Sequence, residues 1–274
     1  MNFMKSLQAS SVKNNSLLCV GLDPDMVKFP SHLQGDIKHI FAFNKAIIDA
    51  TADCVCCYKP QIAYYAAVGA ENELTLTIDY IHKTYPGIPV ILDAKRNDIG
   101  STADMYAKEA FTRYEADALT VNPYMGSDTL ESFLKFHDKG VVVLCKTSNP
   151  GSADFQNLHI NGKPLFQIIA EKAQNEWNSH GNVCIVVGAT HPDEMKVIRA
   201  SAPDITFLVP GIGAQGGDIN SVMQNGSDAT GGGLIINSSR AIIHADSSAA
   251  FAEKAREAAI RQRDAINAAK TTKH

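Results

Sequence analysis

The chain has 274 residues, of which 45% are hydrophobic and 20% charged, with a formal net charge of −4. That length admits one large domain or two small ones, and that charge supports neither a nucleic-acid partner nor an anionic membrane surface. No stretch is apolar for long enough to cross a bilayer, and residues 1–16 lack the apolar core of a signal peptide. The six cysteines, Cys19, Cys54, Cys56, Cys57, Cys145 and Cys184, fall in apolar, strand-like runs. Around Cys54-x-Cys56-Cys57 no His or second Cys pair sits at ligand spacing, so these read as buried thiols in a reducing cytoplasm rather than as a metal site.

The first strand is predicted over Leu17–Leu22, ending in Asp23-Pro24, and is followed by a helix over Ile37–Thr51. Cys54–Tyr58 reads as a second strand, ending in Lys59-Pro60, where the proline interrupts a simple ladder. Leu74, Ile78 and Ile81 share one face of a helix over Asn72–Lys83. The apolar run Val90–Leu92 is a third strand, which delivers Asp93 and Lys95, and a helix follows over Thr102–Tyr114. Ala118–Val121, Gly140–Cys145, Val183–Val187, Ile205–Val209 and Gly233–Ile236 continue the series of strands. Helices over Asp128–His137, Leu165–Trp177 and from Pro192 alternate with them, a loop covers Gly151–Lys163, and an alanine-rich helix spans Ser248 to about Ala268.

Eight strand-then-helix units, with strands apolar almost throughout, predict an α/β protein with both sheet faces buried. No composition break marks a linker, and the first βα turn lacks G-x-G-x-x-G. The expectation is therefore a single (β/α)8 TIM barrel over residues 1–274, with an N-terminal extension at about 1–16 and the C-terminal helix at about 248–268.

In such a barrel, chemistry gathers at the C-terminal ends of the strands. Those ends carry Asp23, Lys59, Asp93 with Lys95 and Asp98, Asn122, Ser148, the Pro210–Gly213 turn and Arg240. Two residues apart on a strand, Asp93 and Lys95 point to one face. Unpaired, Lys59 or Lys95 would lose its charge on burial; flanked by carboxylates, both stay ammonium. The glycine-dense run Pro210–Gly217 can bring backbone amides close to an anion, and Arg240 can fork onto phosphate oxygens. His180, His191 and His244 are isolated and read as ordinary surface residues.

Taken together, Asp93-x-Lys95-x-x-Asp98-Ile99-Gly100-x-Thr102, Gly21-Leu22-Asp23-Pro24, Lys59, Gln215 and Arg240 resemble the orotidine 5′-phosphate decarboxylase family. Asp93-Ala94-Lys95-Arg96, Ser148-Asn149-Pro150-Gly151 and Pro210-Gly211-Ile212-Gly213-Ala214-Gln215 are similar to its longer variant form, type 2. Asn97 departs from the glycine usual there. The resemblance implies decarboxylation of orotidine 5′-phosphate to UMP in de novo pyrimidine synthesis, in the cytoplasm, without metal or organic cofactor. It implies Lys95 as the proton donor to C6, Asp93 and Asp98 holding Lys95 and crowding the substrate carboxylate, and Lys59 orienting Asp93 and bonding the ribose. Asp23 would take ribose hydroxyls, and Ser148 (or Thr147) the pyrimidine edge. Gln215, Arg240 and the amide near Ser239 would hold phosphate. A homodimer with shared sites is implied, Asp98 and Thr102 reaching into the partner. The competing readings are a magnesium-dependent keto-sugar-phosphate decarboxylase or synthase on the same barrel, and a non-catalytic phospho-ligand sensor. Lys59 stands where the former would need a metal-binding carboxylate; the latter needs no proton donor.

Overall fold

The computed structural model describes residues 2–212 and 216–271. Eight parallel strands run through them: β1 (Leu18–Leu22), β2 (Cys57–Pro60), β3 (Ile91–Arg96), β4 (Ala118–Val121), β5 (Gly140–Lys146), β6 (Val183–Val187), β7 (Thr206–Val209) and β8 (Leu234–Ser238). β1 pairs with β2 on one side and β8 on the other, and the ladder continues through β7, β6, β5 and β4 to β3. Between β2 and β3 only the isolated bridges Tyr58–Val90 and Gln61–Asp93 remain, so the ring is a nearly closed barrel. Pro60, which has no amide to donate, lies between those two bridges.

Strand β2 begins at Cys57 rather than Cys54, which places Lys59 inside the strand. The Cys54 carbonyl is taken by Ser16 Oγ at 2.6 Å and the Val55 carbonyl by Asn14 Nδ2 at 2.8 Å, side-chain bonds that replace a ladder. The helix expected over Thr102–Tyr114 starts earlier, at Gly100 (φ +50°), and beyond Lys108 widens into a π-helical turn over Glu109–Arg113. Inside the expected loop Gly151–Lys163, His159–Ile160 turns back to pair antiparallel with Lys163–Pro164. The C-terminal helix runs Phe251–Thr271.

Period-two alternation divides the apolar residues between two cores. Cys19, Cys57, Ile91, Ala118, Val142, Cys184, Leu208 and Ile235, one from each strand, point into the barrel. Their neighbours, such as Leu18, Val20, Leu92 and Leu119, face the surrounding helices. Leu74, Ile78 and Ile81 are buried as expected on the helix Glu71–Thr84. The segment before β1 forms a helix over Phe3–Lys13, capped by Asn2 onto the Lys5 amide at 2.9 Å, and its Phe3 and Leu7 close the lower end of the barrel. Only glycine fits at position 140, since a Cβ there would lie 2.3 Å from the Phe3 ring.

Candidate active site

The end of β3 is irregular, and its irregularity builds the site. Leu92 pairs with Leu119 and Arg96 with Val121, so Asp93, Ala94 and Lys95 stand opposite Thr120 alone. This bulge carries Lys95 at φ +49°, a left-handed conformation uncommon for a side chain of its size. Asp93 and Lys95 do meet, as strand periodicity suggested, but across a bulge rather than a regular pleat. Asn97 keeps a negative φ, so no glycine is required there; the left-handed residue is Lys95.

Asp93 is 8% exposed and accepts from three groups. Lys59 Nζ reaches Oδ2 at 2.9 Å; Lys95 Nζ and Thr120 Oγ1 reach Oδ1 at 2.7 and 2.9 Å. Burial alone would push the Asp93 carboxyl up, but the charges of Lys59 and Lys95 outweigh it and hold the group well below the usual carboxylate range. Burial likewise pulls Lys59 down, while Asp93 and Asp23 override it and leave its pKa above the ordinary lysine value. Both groups are therefore charged at neutral pH. Lys95 is half exposed towards the barrel mouth, where its ammonium is available to a ligand.

From Asp93 a cavity of about 180 Å³ extends towards β7 and β8, lined by Asp23, Lys59, Gly211, Ser238, Ser239 and Arg240 among others. Asp23 Oδ1 and the hydroxyls of Ser238 and Ser239 are buried without protein partners among the described residues, so polar groups converge on the cavity unsatisfied. Ser239 approaches β1 so closely that a Cβ on Gly21 would lie 2.7 Å from its Cβ. Gly211 adopts φ +101° at the turn after β7. Arg240 is exposed and makes no ion pair among the described residues. Gln215 lies outside the described residues.

Ser148, beyond β5, packs against Gly188, where a Cβ would come within 2.8 Å of its backbone. Its hydroxyl has no protein partner among the described residues, whereas the Thr147 hydroxyl is engaged by Asn149 at 2.7 Å and Gln156 at 3.0 Å. Asp98 stays apart from Asp93 and Lys95, its Oδ1 accepting from the Ile99 amide at 2.8 Å. Thr102 is exposed on the next helix. Asn122 serves a turn, accepting from the Tyr124 amide at 3.0 Å. His244 is not a surface residue: it is partly buried and stacks on Phe43 at 5.6 Å.

Sequence reasoning passed over Thr120, Lys146 and Gln156. Thr120 read only as a strand residue, and the one signal was a polar side chain in the apolar run Ala118–Val121. Gln156 falls in the expected loop Gly151–Lys163, where the structure instead has a short helix over Ala153–Gln156, and it accepts from the Thr147 amide at 2.9 Å. Among the described residues no three His, Cys, Asp or Glu side chains converge as metal ligands, and the six cysteines are free and buried. Chemically, the site offers a fixed ammonium beside a carboxylate that cannot take its proton, next to an anion-receptive cavity.

A sequence model described as the orotidine 5′-phosphate decarboxylase / HUMPS family matches residues 16–255. An orotidine 5′-phosphate decarboxylase of Dechloromonas aromatica (strain RCB) is 57% identical over 267 residues, covering 97% of this chain and 99% of that protein. The solved structure of Leishmania donovani OMP decarboxylase superposes with TM-score 0.87 at 40% identity, with 99% of each chain covered. Leishmania donovani UMP synthase superposes with TM-score 0.89 at 42% identity; the match covers 98% of this chain and 57% of that one.

Proposed function

The chain belongs to the orotidine 5′-phosphate decarboxylase / HUMPS family and decarboxylates orotidine 5′-phosphate to UMP; we propose that Lys95 is the proton donor and Asp93 its anchor. The observation that carries this reading is one carboxylate holding two ammonium groups, Lys59 at 2.9 Å and Lys95 at 2.7 Å. As the C6–carboxylate bond breaks, the electron pair stays on C6, where no carbonyl is placed to delocalise it. The Lys95 ammonium stabilises that charge and gives C6 the proton that replaces carbon dioxide. Lys95 Nζ leaves the step as a neutral amine and recovers its proton from solvent. Asp93, held ionised, crowds the departing carboxylate and keeps Lys95 aimed.

Asp23 and Lys59 take the ribose, and Ser148 takes the pyrimidine edge, supported by its unengaged hydroxyl beside an engaged Thr147. Ser239, Arg240 and Gln215 hold the phosphate, whose binding energy is remote from C6 and serves to position the ring. The most proficient enzymes need about 23 kcal/mol of transition-state stabilisation, which no one of these groups supplies alone. The type 2 form is supported by the runs around Asp93, Ser148 and Pro210. The whole chain would act as one barrel unit in the cytoplasm, in keeping with its free thiols and with the lack, among the described residues, of a helix long and apolar enough to cross a membrane.

A homodimer completes the site in this proposal. Asp98 bonds to the Ile99 amide and not to its own Asp93, Thr102 is exposed, and the side chains of Ile99, Met105, Tyr124 and Met125 are exposed apolar groups on the same and the following loop and helix. Mixing Lys95→Ala with Asp98→Ala under subunit exchange is expected to restore about a quarter of the sites, because a heterodimer gathers both lesions in one site. A dead mixture with exchange verified would leave each site within one chain.

The metal-dependent alternative is disfavoured because Lys59, a buried cation, occupies the position that a ligand carboxylate would need. Loss of orotate absorbance on adding orotidine 5′-phosphate to chelator-treated protein tests this directly. Activity that disappears in EDTA and returns with Mg²⁺ would overturn the reading.

A further inference from the structure

We infer that Thr120 is a positioning residue for the decarboxylation, setting the place of both Asp93 and Lys95 through a single hydroxyl. The inference rests on Lys95 being the proton donor. Thr120 stands alone on β4 opposite three residues of β3, where a regular ladder would pair residue with residue. The bulge turns the amides of Ala94 and Lys95 away from main-chain acceptors. Both donate instead to Thr120 Oγ1, each at 2.9 Å. The hydroxyl's own proton goes to Asp93 Oδ1 at 2.9 Å.

A hydroxyl has two lone pairs and one proton, and all three are used here. The same atom therefore fixes the backbone on which Lys95 adopts φ +49° and orients the carboxylate that holds the Lys95 ammonium. Thr120 is 1% exposed, so water cannot readily take over the three bonds. Valine has the shape of threonine but would leave two partly buried amides without their acceptor and the carboxylate without one donor. The bulge would then relax and move the ammonium, and a displacement of about 1 Å is enough to cost roughly a hundredfold in rate. Ser239 and Arg240 lie just beyond β8, at the start of the helix Arg240–Ile243, and line the far side of the cavity from the bulge, so substrate binding through the phosphate is expected to stay intact.

The test compares Thr120→Val and Thr120→Ser with wild type for kcat, KM and the affinity for UMP. Thr120→Val is expected to lower kcat by about a hundredfold while KM and UMP affinity stay within about threefold, and Thr120→Ser to recover kcat to within about threefold of wild type. If Thr120→Val does not fold, Thr120→Ala removes the same hydroxyl without a branched side chain to place. A hydroxyl-free variant with kcat within threefold of wild type would overturn the inference. So would one that shifts KM and thermal stability alone, or a serine variant as slow as the valine. Wild-type protein without turnover would instead refute the decarboxylase reading, and Lys95→Ala with turnover would refute Lys95 as donor.

Discussion

Lys59 in β2 and Lys146 at the end of β5 are both withdrawn from solvent, 4% and 0% exposed, yet burial acts on them with opposite results. Lys59 meets the Asp93 carboxylate at 2.9 Å and feels Asp23, so its pKa rises. Lys146 donates to Ser152 Oγ at 3.1 Å and Asn157 Oδ1 at 2.7 Å, both neutral, and desolvation pulls its pKa down. The first is locked as a charge on the wall of the cavity that Asp93 also lines. The second fastens the loop that follows β5, which carries Ser148, and holds its charge against the environment. What separates the two cations is thus the charge of their acceptors, both side chains being shielded from solvent.

The largest effect should come from Lys59→Met. It removes one counter-charge of a buried carboxylate, so we expect a stability loss of roughly 3 kcal/mol by chemical denaturation and at least a hundredfold fall in kcat/KM. A variant as stable and active as wild type would show that Lys95 and Thr120 satisfy Asp93 without Lys59. Lys146→Met should do much less: no carboxylate is stranded, and the loss of two hydrogen bonds is offset by removal of a buried cation. Stability should move by no more than about 1 kcal/mol and kcat/KM by less than about tenfold. A collapse like that of Lys59→Met would erase the distinction.

The smallest effect is a pair of opposite slopes in alkali. For Lys146 the unfolded chain binds its proton more tightly than the folded one, so its contribution to stability improves as pH rises towards the free lysine value near about 10.4. For Lys59 the folded state binds the proton more tightly, so its contribution is complete below that value and is lost only above it. Asp93, whose carboxyl is held low, contributes fully above about pH 4 and loses that contribution as pH falls further. Denaturation between pH 7 and 10 should therefore show wild type gaining on Lys146→Met. Parallel curves would mean that Lys146 keeps an ordinary lysine pKa.

Strand-end residues that share a face were legible in the sequence, because apolar runs fix where strands stop and the barrel brings those stops together. Asp23, Lys59, Asp93, Ser239 and Arg240 line one cavity for that reason. The bulge was not legible, since Asp93-Ala94-Lys95 has the composition of a regular strand end and its register is set by Thr120 on another strand. Lys146 was missed because a lysine after Cys145 reads as a solvated strand end; Ser152 and Asn157, six and eleven residues later, fold back to bury it. His244 was misjudged in the same way, its burial arising from Phe29 and Phe43 far upstream. Asp98 was picked out by its place past the strand's end and Thr102 by the family resemblance, and neither bonds to Asp93 among the described residues.

The helix Phe3–Lys13 gives the barrel a stopper, and the stopper has a use unrelated to the reaction. Cys19, Cys56, Cys57 and Cys184 lie with Phe3 and Leu7 in the interior cluster, at 0–1% exposure. Burial pushes the Cys184 thiol up to about 12 and raises Cys57 as well, so neither is a nucleophile while the barrel is shut. A thiol-reactive dye added to the native protein therefore acts as a stopwatch. Its rate of capture counts how often the interior opens.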